Sequence, residues 1–311
     1  MSEVAVGPRS RRLLLIVLAL AVVGYAGASW VFAERLIGQQ FTSGELVDTG
    51  DFGLPEPEEA TIRGEGVDLS AWYFSNPRQG DCAVVMLHGY SGDKTEVLGA
   101  SPIFWDRGCH LLFCDARGHG ESSRSFLTFG AHERDDLRLA TEWLGTRTGL
   151  PLAGIGLMGW SYGAATSIQA APELSGLAFV IADSSFSSVT DIANVQGERQ
   201  FGSWVGLVVP GALFVAGLRG GFDPGDVAPA AAIADVQAPV LLIHSRTDGY
   251  TPVQHSEVIN QNGDASRTRL IIPDWDAPHA RSYEVEPVAY TAIVDQFLAD
   301  FAPDFGVRED P

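Results

Sequence analysis

The chain has 311 residues, enough for a large hydrophobic core and for one α/β domain of about 250 residues. Its formal net charge is −19, and no basic stripe occurs after the first residues. This charge argues against nucleic-acid binding and indicates an acidic, well-solvated surface. The three cysteines, Cys82, Cys109 and Cys114, lack metal-ligand spacing, so no metal site is predicted.

The amino terminus carries an uncharged apolar run over residues 13–33. About 20 such residues cross a bilayer. Arg9, Arg11 and Arg12 precede the run and acids dominate the residues after it, so the positive-inside rule predicts a single-pass anchor with a cytoplasmic N-terminus and an extracytoplasmic remainder. The alternative is a signal peptide cleaved near residues 26–28, which would make the protein secreted. Because the run is longer than an ordinary signal core, we favour the anchor.

A linker with prolines and acids is predicted over residues 34–64, a globular domain over 65–303 and a tail over 304–311. Apolar or alternating runs predict strands at residues 67–74, 83–87, 111–114, 155–158, 179–182, 240–243 and 269–272. Most of these runs are continuously apolar, as expected of parallel strands that are covered on both faces. Helical patterns alternate with them, the last ending near Phe301.

The stretch Gly159-Trp160-Ser161-Tyr162-Gly163 lies between a predicted strand and a predicted helix. In this context a G-x-S-x-G motif forms a nucleophile elbow. The glycines let strand and helix approach closely, and the helix directs its dipole and free amides toward the serine hydroxyl. Ser161 is therefore the candidate nucleophile.

A glycine-rich loop over residues 88–92 comes directly after the strand at 83–87. Such a loop can direct a backbone N–H into a pocket, and we expect the amides of Tyr90 and Tyr162 to form a two-donor oxyanion hole. His88 is predicted to hold the loop by a hydrogen bond. Asp115 and Arg117, after the next strand, are predicted to fix their own loop rather than to act in chemistry.

These motifs resemble, in this order, those of the α/β-hydrolase superfamily: H-G-x-x-G at residues 88–92, D-x-R-G-H-G-x-S at 115–122 and G-x-S-x-G at 159–163. The similarity is greatest to lysophospholipase-like and serine aminopeptidase-like hydrolases and covers roughly residues 65–303. It implies an α/β fold with a mostly parallel eight-stranded sheet and helices on both faces. It also implies a catalytic triad in the chain order serine, acid, histidine.

Candidates for the other two triad members lie after the later strands. Asp248 lies on the loop past the strand at 240–243, where ligand-facing residues of open α/β sheets gather. His279 lies on the loop before the C-terminal helix, in a stretch similar to the family's histidine loop. Histidine can take the proton of Ser161, and an acid can orient the imidazole. Asp183, at the end of the strand at 179–182, is the rival acid.

The resemblance also places the strands that begin after Cys82 and Cys109 side by side and parallel. The two cysteines would then face each other and could form a disulfide in an exported protein, with free thiols as the alternative.

An insert over residues 186–236 separates two strands by more than an ordinary loop. Its centre is apolar but interrupted by Pro210 and glycines, which favours a small helical cap over a second membrane span. An apolar cap that excludes water suits an acyl substrate, although core packing between cap and sheet explains the same residues.

The sequence therefore predicts a serine hydrolase that cleaves carboxylic esters, with lipid-derived and acyl esters among the candidate substrates, without a cofactor. Its expected partners are a small ester or acyl substrate and the membrane, but no nucleic acid. A peptidase or amidase is the alternative and would need a polar or acidic subsite for a peptide amine. A catalytically silent scaffold is the third hypothesis, which an intact Ser161, Asp248 and His279 argue against.

Overall fold

A computed structural model describes residues 8–38, 47–78 and 80–306 of the chain. In this part of the chain, eight strands form one sheet in the order β1-β2-β4-β3-β5-β6-β7-β8. The strands are β1 (Glu58–Arg63), β2 (Asp68–Phe74), β3 (Ala83–Leu87), β4 (His110–Cys114), β5 (Ile155–Trp160), β6 (Phe179–Asp183), β7 (Val240–Ile243) and β8 (Thr268–Ile271). Strand β2 pairs antiparallel with β1 and β4, and every other pair is parallel. The predicted mostly parallel eight-stranded sheet is confirmed.

Helices cover both faces of the sheet, as predicted. They are α1 (Pro8–Ile37), α2 (Pro102–Trp105), α3 (Glu133–Thr148), α4 (Tyr162–Ala170), α5 (Val189–Phe201), α6 (Val209–Gly220), α7 (Pro229–Ala232), α8 (Gln254–Asn262), α9 (Ser282–Val285) and α10 (Pro287–Phe301). Helices α5, α6 and α7 lie in the insert between β6 and β7, which is therefore the helical cap.

The continuously apolar strands divide their side chains between two cores. In β3, Val85 packs with α3 and α4 on one face, whereas Val84 and Met86 pack with α2 and α10 on the other. Because successive side chains of a strand point to opposite faces, a strand covered on both sides must be apolar throughout. The sheet is thereby held rigidly, with its parallel strands ending at one common edge.

The predicted linker over residues 34–64 is too long at both ends. Helix α1 continues to Ile37, since Ala33 and Ile37 pack against Ala216 of the cap. At the other end β1 pairs with β2 and buries Ile62 in the core. The predicted tail at 304–311 is also shorter, because Phe305 packs edge-on against Phe179; residues 307–311 lie outside the described part.

Helix α1 is long and apolar enough to cross a membrane, a property that signal sequences near an N-terminus share. Its first part is exposed, but Ser29, Ala33 and Ile37 are buried against the domain. The last turns of α1 are therefore part of the N-terminal apolar helix and also pack as part of the globular domain.

Cys82 and Cys109 lie directly before β3 and β4 and are joined by a disulfide, with Cα atoms 4.7 Å apart. The next residues, Ala83 and His110, are partners in the parallel ladder, which brings the two sulfurs together. The bridge is the alternative that the sequence left open. Cys114, at the far end of β4, is a buried free thiol.

Replacing both Cys82 and Cys109 by serine is expected to lower the free energy of unfolding by about 3 kcal/mol, because the bridge cross-links residues 27 apart and restricts the unfolded chain. Thermal unfolding of the purified chain measures this, with Cys114→Ala as a control that removes a sulfur but no cross-link. Thiol titration in denaturant should find one thiol before reduction and all three cysteines after it. A double variant that melts with the wild type would contradict the prediction.

Candidate active site

Ser161 occupies a sharp turn between β5 and α4. Its backbone has φ 51° and ψ −104°, a conformation that L-residues rarely adopt. The turn is that tight because α4 starts against the ends of two strands: a Cβ on Gly163 would lie 2.6 Å from the Leu87 carbonyl oxygen, and one on Gly159 would collide with the Gly163 backbone. The glycines have the steric role that the motif predicts, and Ser161 Oγ is presented above the sheet edge.

Two further loops bring His279 and Asp248 to the same place. His279 Nε2 lies 2.7 Å from Ser161 Oγ, and His279 Nδ1 lies 2.6 Å from Asp248 Oδ2. Asp248 lies on the loop after β7, and His279 lies between β8 and α9. Three side chains that are far apart in sequence thus form one continuous hydrogen-bonded chain.

The carboxylate of Asp248 determines which imidazole nitrogen carries the proton. Burial by itself raises the pKa of Asp248, but hydrogen bonds from His244 and His279 and from the Thr251 amide hold that pKa well below its usual value. The ionised carboxylate can only accept, so Nδ1 of His279 must be the donor. In the neutral imidazole Nε2 then accepts the hydroxyl proton of Ser161, which is the arrangement a general base requires.

The rival acid, Asp183, lies beneath the serine and has other partners. Its backbone carbonyl accepts the Ser161 N–H at 2.8 Å, and its Oδ1 accepts the Ser184 hydroxyl at 2.8 Å. Burial raises the pKa of Asp183. His279 Nδ1 bonds Asp248 Oδ2, whereas the Asp183 carboxyl group accepts from Ser184, so Asp248 is the acid placed to stabilise a positive imidazole.

The two residues expected to donate to an oxyanion flank the serine. Tyr162 is the first residue of α4, a position whose amide has no partner within its helix. Tyr90 lies on the loop after β3, and its ring packs 6.0 Å from that of Tyr162. Their roles as oxyanion donors stay predictions.

The loop residues near the site have the structural contacts predicted for them. His88 bonds the Gly89 carbonyl through Nδ1 at 2.7 Å and accepts the Ala116 N–H through Nε2 at 3.0 Å, which ties two loops together. Asp115 pairs with Lys94 at 2.8 Å, and Arg117 holds Asp136 through two bonds of 2.6 and 2.7 Å. These groups support the loops from below.

Glu133, a buried carboxylate under the nucleophile, is not predicted from the sequence. It accepts from the Tyr162 hydroxyl at 2.7 Å and from Thr128 and Gly130 of the preceding loop. Burial alone raises the pKa of Glu133, but these hydrogen bonds and the charge of Arg117 lower it overall. As one of several acids at the start of a helix, it carries no signal in the sequence.

A pocket opens above Ser161, and most of its walls are apolar. The apolar and aromatic lining residues are Phe32, Leu36, Tyr90, Phe129, Tyr162, Phe186, Ile192, Ala193, Phe201, Val209, Ala212 and Leu213. Polar groups come from Arg35, Gln196, Gln200, Tyr250 and Thr251, and no Asp or Glu is among the described lining residues. The cap therefore covers the serine with a surface suited to a hydrocarbon chain.

One wall of this pocket comes from the end of α1. Phe32 packs against Phe201 of the cap with ring centroids 4.9 Å apart, and the guanidinium of Arg35 lies over the same ring. The Tyr90 hydroxyl bonds the carbonyls of Arg35 and Leu36 at 3.2 and 2.9 Å. The sequence places Phe32 in an anchor and the next residues in a linker, because nothing local marks them as pocket residues.

No group of three or more His, Cys, Asp or Glu side chains is arranged to hold a metal ion within residues 8–38, 47–78 and 80–306.

The chain is similar to several known proteins. A model of the X-Pro dipeptidyl-peptidase (S15) family matches residues 55–209. The Bacillus subtilis protein YqkD is 29% identical over 265 residues, which are 83% of this chain and 82% of YqkD.

Solved structures share the fold. The Pyrococcus furiosus esterase Pf2001 superposes with a TM-score of 0.69 at 22% identity, covering 85% of this chain and 98% of the esterase. The Pyrococcus horikoshii acylaminoacyl peptidase superposes with a TM-score of 0.61 at 18% identity, covering 86% of this chain and 45% of the peptidase. The narrower resemblance to lysophospholipase-like and serine aminopeptidase-like hydrolases stays a prediction. The sheet order, the serine elbow and these similarities lead to one conclusion: the chain has the α/β-hydrolase fold.

Proposed function

We propose that this protein is a serine hydrolase that cleaves carboxylic esters with an apolar acyl group through an acyl-enzyme. The observation that carries the proposal is the hydrogen-bonded chain Asp248–His279–Ser161 at the floor of an apolar pocket. A serine hydroxyl is a weak nucleophile and needs a base within hydrogen-bond reach. His279 Nε2, 2.7 Å from Ser161 Oγ, is placed to be that base.

In the proposed reaction Ser161 Oγ attacks the ester carbonyl carbon while its proton moves to His279 Nε2. Asp248 holds Nδ1–H and stabilises the resulting imidazolium. The tetrahedral oxyanion is assigned to the amides of Tyr90 and Tyr162. Its collapse expels the alcohol, which takes the proton from Nε2. Water then attacks the acyl-enzyme by the same proton transfer and releases the carboxylic acid and free Ser161.

A peptidase is the second candidate, favoured by the match to the X-Pro dipeptidyl-peptidase family. A peptide with a free amine needs a carboxylate or a similar polar subsite to bind its ammonium group. The described pocket residues include Arg35 but no acid. Positive charge and apolar walls support an ester or another uncharged acyl substrate over a peptide amine.

We further propose that α1 is an uncleaved anchor with its N-terminus in the cytoplasm and that the hydrolase domain lies outside. Arg9, Arg11 and Arg12 precede the apolar run, as the positive-inside rule requires. The disulfide between Cys82 and Cys109 supports an oxidising compartment for the domain. Immunoblotting of the mature chain with an N-terminal tag, and protease access from either side, tests this placement.

Substituting the nucleophile tests the proposed function directly. Ser161→Ala is expected to abolish labelling by a fluorophosphonate probe and to lower p-nitrophenyl butyrate turnover by at least about 10³-fold. Ser266→Ala, an exposed serine, is the matched control and should behave as the wild type. Labelling that survives Ser161→Ala would reject the nucleophile. Absent ester turnover with strong cleavage of a Gly-Pro anilide would favour the peptidase.

Two aspartate variants distinguish the rival acids. Asp248→Asn is expected to lower kcat by about 10³- to 10⁴-fold, because an amide in place of the carboxylate no longer holds Nδ1–H or stabilises the imidazolium. Asp183→Asn keeps the backbone carbonyl that binds Ser161 and should change kcat only a few-fold. Steady-state kinetics with p-nitrophenyl butyrate measure both. A larger loss of kcat in Asp183→Asn than in Asp248→Asn would identify Asp183 as the acid that supports His279.

The end of α1 should set the acyl length that the pocket accepts. Leu36→Trp adds bulk to a lining position and is expected to lower kcat/KM for p-nitrophenyl octanoate about tenfold relative to the acetate, because the longer chain loses its space. Val31→Trp, on the same helix at a position that is 52% exposed, is the matched control. If the ratio of kcat/KM for the octanoate to that for the acetate is unchanged in Leu36→Trp, α1 does not line the substrate site.

A further inference from the structure

Four exposed apolar side chains lie on two consecutive segments of the cap, which we call the cap face: Trp204 and Leu207 on the turn before α6, and Phe214 and Leu218 one helical turn apart on α6. They are 54%, 77%, 66% and 69% exposed. Outside α1 they are four of the eight large hydrophobic side chains that the described residues expose. Exposed apolar side chains concentrated on one part of a surface mark a place where an apolar partner binds.

The cap face continues the apolar surface of α1. Helix α6 packs lengthwise along the last turns of α1, with Gly211 against Ser29 and Tyr25 and with Ala216 against Ala33 and Ile37. At its end Arg219 pairs with Glu34, the first charged residue after the apolar run. Helices α1 and α6 therefore run parallel, and α6 lies beside the last turns of α1.

The length of α1 indicates how deep α6 would lie in a bilayer that α1 crosses. Its uncharged run, residues 13–33, is about 31 Å long, which matches a hydrocarbon layer of about 30 Å. Glu34 then marks the layer's outer boundary, and Tyr25 lies about 13 Å inside it. Because Gly211 lies beside Tyr25 and Ser29 whereas Ala216 lies beside Ala33 and Ile37, the first half of α6, with Phe214, lies at the depth of the outer acyl chains. The end of α6, with Leu218, lies at the boundary of the layer.

The aromatic residues agree with this placement. Trp204 lies beside Phe32, with ring centroids 6.3 Å apart, and Trp30 carries the Arg219 guanidinium 4.7 Å from its ring. Both tryptophans are thus close to the end of the apolar run, where tryptophan is favoured at a membrane interface. Phe214 and Leu218 project from α6 on the exposed side.

We infer that the cap face is a membrane-docking surface that inserts between the acyl chains of the leaflet beside α1, so that the pocket between α1 and the cap receives its ester from the bilayer. The inference deepens the proposed function, on which it rests, by naming a lipid-resident substrate class. Phe32 and Leu36 of α1 and Val209, Ala212 and Leu213 of the cap line this pocket, so the helices that touch the lipid also form the substrate walls.

Labelling at single cysteines in the full chain tests the docking without using activity. Phe214→Cys and Thr146→Cys are each labelled with an NBD fluorophore and reconstituted in phosphatidylcholine nanodiscs at one chain per disc. Thr146 is exposed near the end of α3, just before β5, at the sheet edge opposite the site. The native cysteines should not react, because Cys82 and Cys109 are bridged and burial raises the pKa of Cys114 well above its usual value.

The Phe214 label is expected to shift to the blue and to be quenched by doxyl-labelled lipids, whereas the Thr146 label stays water-like. A Phe214 label that resembles the Thr146 label would overturn the inference. A blue-shifted label that lipid quenchers do not reach would also overturn it, since another protein copy would then cover the cap face.

A second measurement tests delivery of the substrate. Phe214→Glu with Leu218→Glu should lower hydrolysis of a long-chain 4-methylumbelliferyl ester embedded in vesicles about tenfold, and leave hydrolysis of soluble p-nitrophenyl acetate unchanged. Val258→Glu, a 43% exposed position on α8, is the matched control. Equal losses on both substrates would contradict delivery from the bilayer. If doxyl-labelled lipids quench the Phe214 label but the Ser161→Ala variant keeps its hydrolytic activity, the proposed function is refuted. The membrane docking of the cap face would still stand in that case.

Discussion

The close contact between the start of α4 and the ends of β3 and β5 is the constraint on which the site depends. The Gly163 N–H donates to the His88 carbonyl at 3.1 Å, a distance that no side chain at this position would allow. Because the helix starts there, the chain must turn at Ser161 with a strained backbone, and the hydroxyl stands at the edge where the parallel strands end. The loops that carry His279 and Asp248 leave the same edge and reach the hydroxyl from there.

Buried charges below this edge hold the loops in register. Lys94 and Asp115 are 4% and 0% exposed, and the Arg117 guanidinium makes a bidentate ion pair with the buried Asp136. The cost of desolvating such pairs offsets much of their attraction, so they contribute little to net stability. Their effect is geometric, because each pair joins a loop or turn at the upper edge to a second element.

The N-terminal helix and the catalytic domain form one unit. The Tyr90 hydroxyl satisfies the carbonyls of Arg35 and Leu36 at the end of α1, where a helix has no further amides of its own to bond them. Tyr90 also lies on the loop after β3 and in the pocket wall. A segment whose composition indicates only a membrane span or a signal thus ends as part of the wall of the pocket above Ser161.

By itself the sequence determined the features that depend on neighbouring residues. The strands and the serine turn with Ser161 could be located because burial on two faces and a tight turn demand particular residues at short spacing. Asp248 and His279 could be named as candidates because they follow buried strands in the triad order that the family resemblance implies. Only the tertiary structure decided which acid meets His279, since Asp183 and Asp248 both lie just past strands and differ in loop geometry. It also decided that α1 lines the pocket. A contact between Phe32 and the cap joins positions about 170 residues apart and needs only apolar surfaces, which leave no local pattern.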